Sequence, residues 1–271
     1  MNQEEFNKLR QRFNPDGSPL RRQQMRMLDM LQCLDDICTR HNIPYWMSSG
    51  TLLGAVRHGG YIPWDDDLDV TIMYKDSKRL LEILEQELPP YYKVQSDETD
   101  DGYFFSYPKI RDTRSYLEET NAYDRIFRYR GIFIDLFTFE KFPPSLNWIA
   151  CRAHGFCYNV LNNRKNTDLQ AKRKVRAIFW TCKHIVFPIL RFLAWFSPTK
   201  ELRYSPGTPY GCTSFHDELF PLQRMEFEGR LFNAPRDSHN FLKRVYGDYM
   251  QLPDLDKIHP HAYTLEIRES E

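Results

Sequence analysis

Residues Gly50–Val70 read GTLLGAVRHGGYIPWDDDLDV, an apolar segment bounded by glycines that gives way to four aspartates within five positions, Asp65, Asp66, Asp67 and Asp69. Beyond Trp64, Leu68, Val70 and Ile72 alternate with Asp67, Asp69 and Thr71. That period of two predicts a half-buried strand with Asp67 and Asp69 on one face. A run of aspartates is ordinarily a solvated turn; a strand buried on one face does not form a free acidic loop. Asp66 keeps the solvated reading, and Asp65 stands at the strand's entrance. Upstream, YWM predicts a short strand, Ser48-Ser49-Gly50-Thr51 a small-residue turn, and LLGAVRH a short helix closed by Gly59-Gly60.

A later strand, GIFIDLFTFE, sets Asp135 between Ile134 and Leu136. A carboxylate there is costly to bury unless it is paired or ligates a metal; the alternatives are a partly exposed edge strand or an ion pair with Arg130. Two carboxylates at i and i+2 with a third on another strand suit a hard divalent cation, and Asp67, Asp69 and Asp135 fit Mg²⁺, with Mn²⁺ as the other candidate. The turn at Ser49, Gly50 and Thr51 supplies the complementary half, because small residues at a helix start let backbone N–H groups and a hydroxyl approach a phosphate.

The 271 residues fit one domain with insertions, and 37 basic residues balance 37 acidic ones, so no global charge recruits nucleic acid. Six cysteines without a C-x-x-C pair indicate neither a disulfide framework nor a zinc site. MNQEEFNKLRQRF lacks the apolar core of a signal peptide, so the expected setting is reducing and cytoplasmic. Ser18-Pro19 predicts a capped helix running to about residue 40 with Met27, Leu31, Leu34 and Cys38 near one face. SKRLLEILEQEL predicts a helix ended by Pro89-Pro90; YYKVQS and YFFSYPKIRD predict strands; FEGRLFNAP predicts a hairpin; Ser238 to Tyr246 predicts a helix before a Pro-containing tail.

GTLLGAVRHGGYIPWDDDLDV, GIFIDLFTF, FEGRLFNAP and YGDYMQLP together resemble the signature segments of the LicD family of phosphocholine and related phospho-alcohol transferases, with fukutin-type proteins as distant relatives. The resemblance covers residues 18–140, a core, and then Glu226 to His261 within a C-terminal motif segment, 222–271; residues 141–221 are a variable helical segment of the same catalytic domain. It implies an α+β nucleotidyltransferase-like mixed sheet with helices packed on it plus a helical basic insertion. It further implies transfer of a phospho-alcohol from a CDP-activated donor, typically CDP-choline, to a hydroxyl of a cell-surface glycan or lipid-linked glycan, releasing CMP. Keeping the fold but breaking another bond would instead transfer a nucleoside monophosphate from a triphosphate. Metal on Asp67 and Asp69 would neutralise the phosphates, with Asp135 completing the site or accepting the acceptor's proton. Lys109 and Arg111, two apart on one strand, and Arg57 and His58 at the end of the short helix, are candidates for pyrophosphate contact. Trp46, Trp64 and Tyr61 lie in or beside the motif, and core packing is the expected role of any one of them.

Residues 173–196 read as a basic amphipathic helix, with Val175, Ile178, Cys182, Val186, Ile189 and Leu193 on one side, Arg173, Arg176, Lys183, His184 and Arg191 on the other, and Trp180 and Phe187 among the basic residues. Its charges argue against a bilayer span. Two readings stay open: a helix packed on the core and kinked by Pro188, or a peripheral helix lying in a membrane interface.

Overall fold

Ser18 accepts a hydrogen bond from the Arg21 N–H (3.2 Å) and Pro19 opens the helix that follows, α2 (Pro19–Arg40), which is preceded by α1 (Gln3–Phe13). This computed structural model describes residues 3–119, 122–258 and 262–267. Met27, Leu31, Leu34 and Cys38 form the buried stripe of α2. The chain then runs through β1 (Tyr45–Met47), α3 (Ser49–His58), β2 (Asp69–Met73), α4 (Tyr74–Glu87), β3 (Tyr92–Gln95), β4 (Lys109–Asp112), β5 (Ser115–Glu119) and β6 (Phe133–Lys141). Gly59, at φ +69°, closes α3 as its left-handed cap.

The principal sheet runs β1-β2-β6-β4-β3, with β2 and β6 parallel and the other neighbours in that order antiparallel. β6 is long enough to pair twice along one edge, with β4 through Phe133–Asp135 and with β7 (Leu202–Tyr204) through Phe139–Lys141. β8 (Thr213–Ser214) extends β7, and α2 and α4 pack against β6. The mixed α/β architecture is as expected from the sequence.

α5 (Pro144–Asn162), α6 (Asp168–Thr181), a π-helical turn at Cys182–Val186 and α7 (Phe187–Trp195) form a helical layer with its own small cores around Phe179, Cys157 and Phe187. After β8 come α8 (His216–Leu219), the hairpin β9 (Gln223–Phe227) and β10 (Arg230–Ala234), α9 (Ser238–Tyr246), and β11 (Ala262–Ile267).

Four details depart from the sequence reading. β2 starts at Asp69, so Asp67 and Leu68 lie in its approach, and the strand is covered on both faces: Thr71 is fully buried and donates to the Ser48 hydroxyl (2.8 Å). Only Lys109–Asp112 of YFFSYPKIRD is strand, since Pro108 carries no N–H for a ladder and the aromatics before it pack into a core and a cleft. α4 begins at Tyr74, before Ser77. The tail contains β11, paired antiparallel with β5.

Candidate active site

Register places the central charges. Asp69 is the Cα partner of Asp135 on parallel β2 and β6, and Asp135 is the partner of Lys109 on antiparallel β4, so the three lie in one row across adjacent strands. Lys109 Nζ stands 2.7 Å from Asp135 Oδ1 and 3.4 Å above the Phe133 ring centroid. Arg130, considered above as Asp135's partner, pairs with Asp124 and Glu118 instead.

The start of α3 abuts this row. The Asp69 N–H donates to Thr51 Oγ1 (2.8 Å) and the Ser48 N–H to the Asp69 carbonyl (3.1 Å), which locks the helix start to the strand. Thr51 is therefore occupied as an internal tie, whereas Ser49 and Gly50 line the cleft. A Cβ on Gly50 would sit 2.7 Å from Asp65 Oδ2, so the missing side chain is what admits that carboxylate.

The cleft holds about 860 Å³. Asp65, Asp66, Asp67, Asp69, Asp135 and Glu119 line it, against Lys109 as the one lysine or arginine among the described lining residues. Asp66, expected in water, is buried. Burial, aggravated by the charges of Asp67, Asp135 and Asp65 and opposed by Lys109, holds the Asp69 carboxyl well above the usual carboxylate range. Asp65 is raised likewise, by burial, by Asp67 and Asp66, and by a hydrogen bond with Asp67. Asp135 is raised by burial despite the pull of Lys109.

Aromatic rings share the lining with these acids: Phe105, Tyr107, Tyr123, Phe133, Phe137, Tyr158, Tyr204 and Tyr210 line the cleft, and Tyr246 joins from α9. Burial and the Asp135 charge push the Tyr210 phenol up to about 12. The 105–107 aromatics share the i, i+2 spacing with Lys109, a signal present in the sequence. Tyr204 and Tyr210 had none beyond their place near a turn-rich loop. Trp46, Tyr61 and Trp64 pack against Phe139, Phe227 and Phe13 respectively, outside the cleft lining.

The remaining cation candidates lie outside the cleft lining. Arg111 is fully buried, donating to Gln95 and to the Gly131 carbonyl and pairing with Glu119 at 3.5 Å. Arg57 donates to the carbonyls of Tyr249 and Gln251 and, through Nε, to His58 Nε2. His58, between the Phe6 and Trp64 rings, is lowered to about 3 by burial and the Arg57 charge. It stays neutral at physiological pH.

Among the described residues no three acidic, histidine or cysteine side chains converge on a ready-made metal shell. The donor chemistry still fits a hard cation. Desolvated, mutually repelling carboxylates favour one, and Mg²⁺ needs only one or two carboxylates when water and substrate phosphates complete its shell. Asp67 and Asp69 are the pair that would hold it.

A mixed sheet that brings carboxylates from adjacent parallel strands to a small-residue helix start, at the mouth of a substrate-sized cleft, is the framework of a group transferase. The chain matches the family described as LicD/FKTN/FKRP, nucleotidyltransferase domain, over residues 42–191, and belongs to that family. The match runs through much of the segment read as variable. The chain is 29% identical over 257 residues to the lipopolysaccharide cholinephosphotransferase LicD of Haemophilus influenzae, covering 89% of this chain and 95% of that protein. Shorter matches join it to an uncharacterized protein of Rickettsia prowazekii, 48% identical over 23% of each chain, and to the ribitol 5-phosphate transferase FKRP of Homo sapiens, 53% identical over 12% of this chain and 7% of that one.

Proposed function

We propose that the protein transfers phosphocholine from CDP-choline to a hydroxyl of a cell-surface glycan or its lipid-linked precursor, with release of CMP and dependence on Mg²⁺. One observation carries this reading: a single cleft is lined by both carboxylates and aromatic rings. A CDP-alcohol has the matching polarity, with a pyrophosphate that needs a cation and, in choline, a trimethylammonium group that favours aromatic faces by about 0.5–2 kcal/mol each. The Haemophilus relative, similar along nearly its whole length, is named a lipopolysaccharide cholinephosphotransferase, which supports phosphocholine as the group moved.

Bare pyrophosphate facing these carboxylates meets repulsion of roughly 1–4 kcal/mol per close charge pair. A bound Mg²⁺ supplies neutralisation of the pyrophosphate and of the departing phosphate. Asp67 and Asp69 would hold the ion, and Lys109 would offer its ammonium to a phosphate oxygen. Gly50 and Ser49 border the phosphate with backbone at the helix start. Asp135, whose charge Lys109 already balances, accepts the proton of the attacking hydroxyl rather than serving as a third metal ligand.

A panel of CDP-choline, CDP-ethanolamine, CDP-glycerol and CDP-ribitol, scored for CMP with and without Mg²⁺, tests the donor. Preference for CDP-choline is expected. Turnover of CDP-ribitol above CDP-choline would reverse the choice of alcohol, and pyrophosphate release from CTP would replace phospho-alcohol transfer with nucleotidyl transfer.

A further inference from the structure

Residues Asp168–Trp195 form a 28-residue helical rod, long and apolar enough by length and composition to cross a membrane, yet only 22% of its most apolar window is buried. Its inner face is fixed to the body. Val175, Phe179, Cys182, Phe187 and Leu190 are buried, Lys183 pairs with Asp97 and Glu98, and Arg191 pairs with Glu140 and stacks on Tyr74. A spanning orientation would break these contacts.

The faces differ from the simple helical-wheel reading, because the π-helical turn at Cys182–Val186 shifts the register between the halves of the rod. Phe187 turns inward, and Ile189 and Leu193 turn outward. Trp180, Ile189, Phe192, Trp195 and Phe196 are 54–81% exposed, with Trp195 the most exposed. Neighbouring α5 adds exposed Trp148 and Phe156. Apolar side chains on this scale are not scattered surface residues.

We propose that this face docks on a lipid bilayer with anionic headgroups, lying in the interface without spanning it. Charge selects the occupant. Residues 144–200 contain ten lysines and arginines against one acid, Asp168, in a chain that is otherwise net acidic. Lys172, Arg173 and Lys174 crowd the N-terminal half of the rod, where Arg176 pairs with Asp101, while Ile189, Phe192, Trp195 and Phe196 are exposed at its C-terminal end. Anionic headgroups complement the first, at about 1 kcal/mol per cation near the surface, while the acyl boundary takes the second. A second copy of the chain would set the same cations against one another across a two-fold axis. The placement also serves access, because Tyr158 on α5 lines the cleft and α5 packs on α6 and α7.

Flotation of the purified full chain with phosphatidylglycerol-containing vesicles, against vesicles of phosphatidylcholine alone, tests this independently of any catalytic assignment. The parent is expected to float with the anionic vesicles. Phe192→Ser, Trp195→Ser and Phe196→Ser together should lower the partition by about tenfold or more per ring lost. A separate Lys172→Glu, Arg173→Glu variant should lose the preference for anionic over neutral lipid, and it keeps the test decisive should the aromatic variant misfold. Equal flotation of parent and both variants would overturn the proposal. So would an absence of flotation together with a dimer, seen by light scattering, that the aromatic variant dissociates.

Discussion

Gly50 measures how little room the aspartates of the cleft have. Gly50→Ala would press a methyl group against the Asp65 carboxylate, which must move to admit it. Asp65 hydrogen-bonds Asp67, one of the two proposed metal ligands, and a misplacement of about 1 Å there is worth roughly 10²-fold in rate. The expected outcome is a kcat loss of that order with little change in melting temperature, checked by steady-state kinetics beside calorimetry. His58 makes a second prediction. Its folded pKa of about 3 lies below the ordinary 6.5, so between those values the unfolded chain binds more protons than the folded one. Stability is then full above pH 6.5 and falls as the pH drops toward 3. In His58→Gln this acid-side slope should flatten, as read by melting temperature against pH. Strand patterning and apolar flanks drew attention to Asp69, Asp135 and Lys109, which the register sets in one row, whereas Asp67, read on the same strand face, reaches the cleft from the strand's approach. That patterning gave no access to Thr51, whose hydroxyl could as well meet a phosphate as the Asp69 N–H it receives. Nor did it reveal the inward turn of Arg57 and Arg111, whose partners lie far along the chain or on another strand.

The segment after β8 reads as a remote motif, and the structure gives it a mechanical part. Glu228, in the turn between β9 and β10, pairs with Arg21 of α2 at 2.6 Å, accepts from the Tyr61 N–H at 3.0 Å, and donates its own N–H to the Gly59 carbonyl. It thus fastens the Gly59-Gly60 reversal that carries the chain from α3 to the aspartates. Arg224 reaches Asp35 on α2 in the same manner, and Arg57 on α3 reaches the carbonyls of Tyr249 and Gln251. Glu228→Ala leaves a half-buried guanidinium without its carboxylate, a loss of about 1.5–3 kcal/mol, and should lower the melting temperature by roughly 3–12 °C. An unchanged melting temperature would remove the hairpin from the support of the site. Helices with caps and short local strands were legible, as α2, β1, α3, β6 and α9 show. β5 and β11 were not, since SYLEE has little strand patterning and its partner lies over 140 residues away. The face of the 173–196 helix was misjudged because one π-helical turn rotates everything beyond it.

For the whole molecule, the acidic cleft is a store of unfavourable charge. The raised carboxyls of Asp65 and Asp69 hold protons in the folded state that the unfolded chain has released, so through the window above the ordinary 3.8 their contribution to stability falls as pH rises. A divalent cation bound by Asp67 and Asp69, as proposed, would reverse that cost. Mg²⁺ at a hundredfold over its Kd adds about 2.7 kcal/mol, and the gain in melting temperature should be larger at neutral than at mildly acidic pH, where protons compete for the same oxygens. The same cation is what the proposed transfer requires. The most direct test is therefore CMP release from CDP-choline, with Mg²⁺, by the parent and by an Asp67→Asn, Asp69→Asn variant whose folding is confirmed. Mg²⁺-dependent CMP formation matched by phosphocholine on the acceptor is expected of the parent, and a loss of at least about 10³-fold of the variant, comparable to removing a principal electrostatic stabiliser. Parent-level CMP release by the variant would contradict this mechanism.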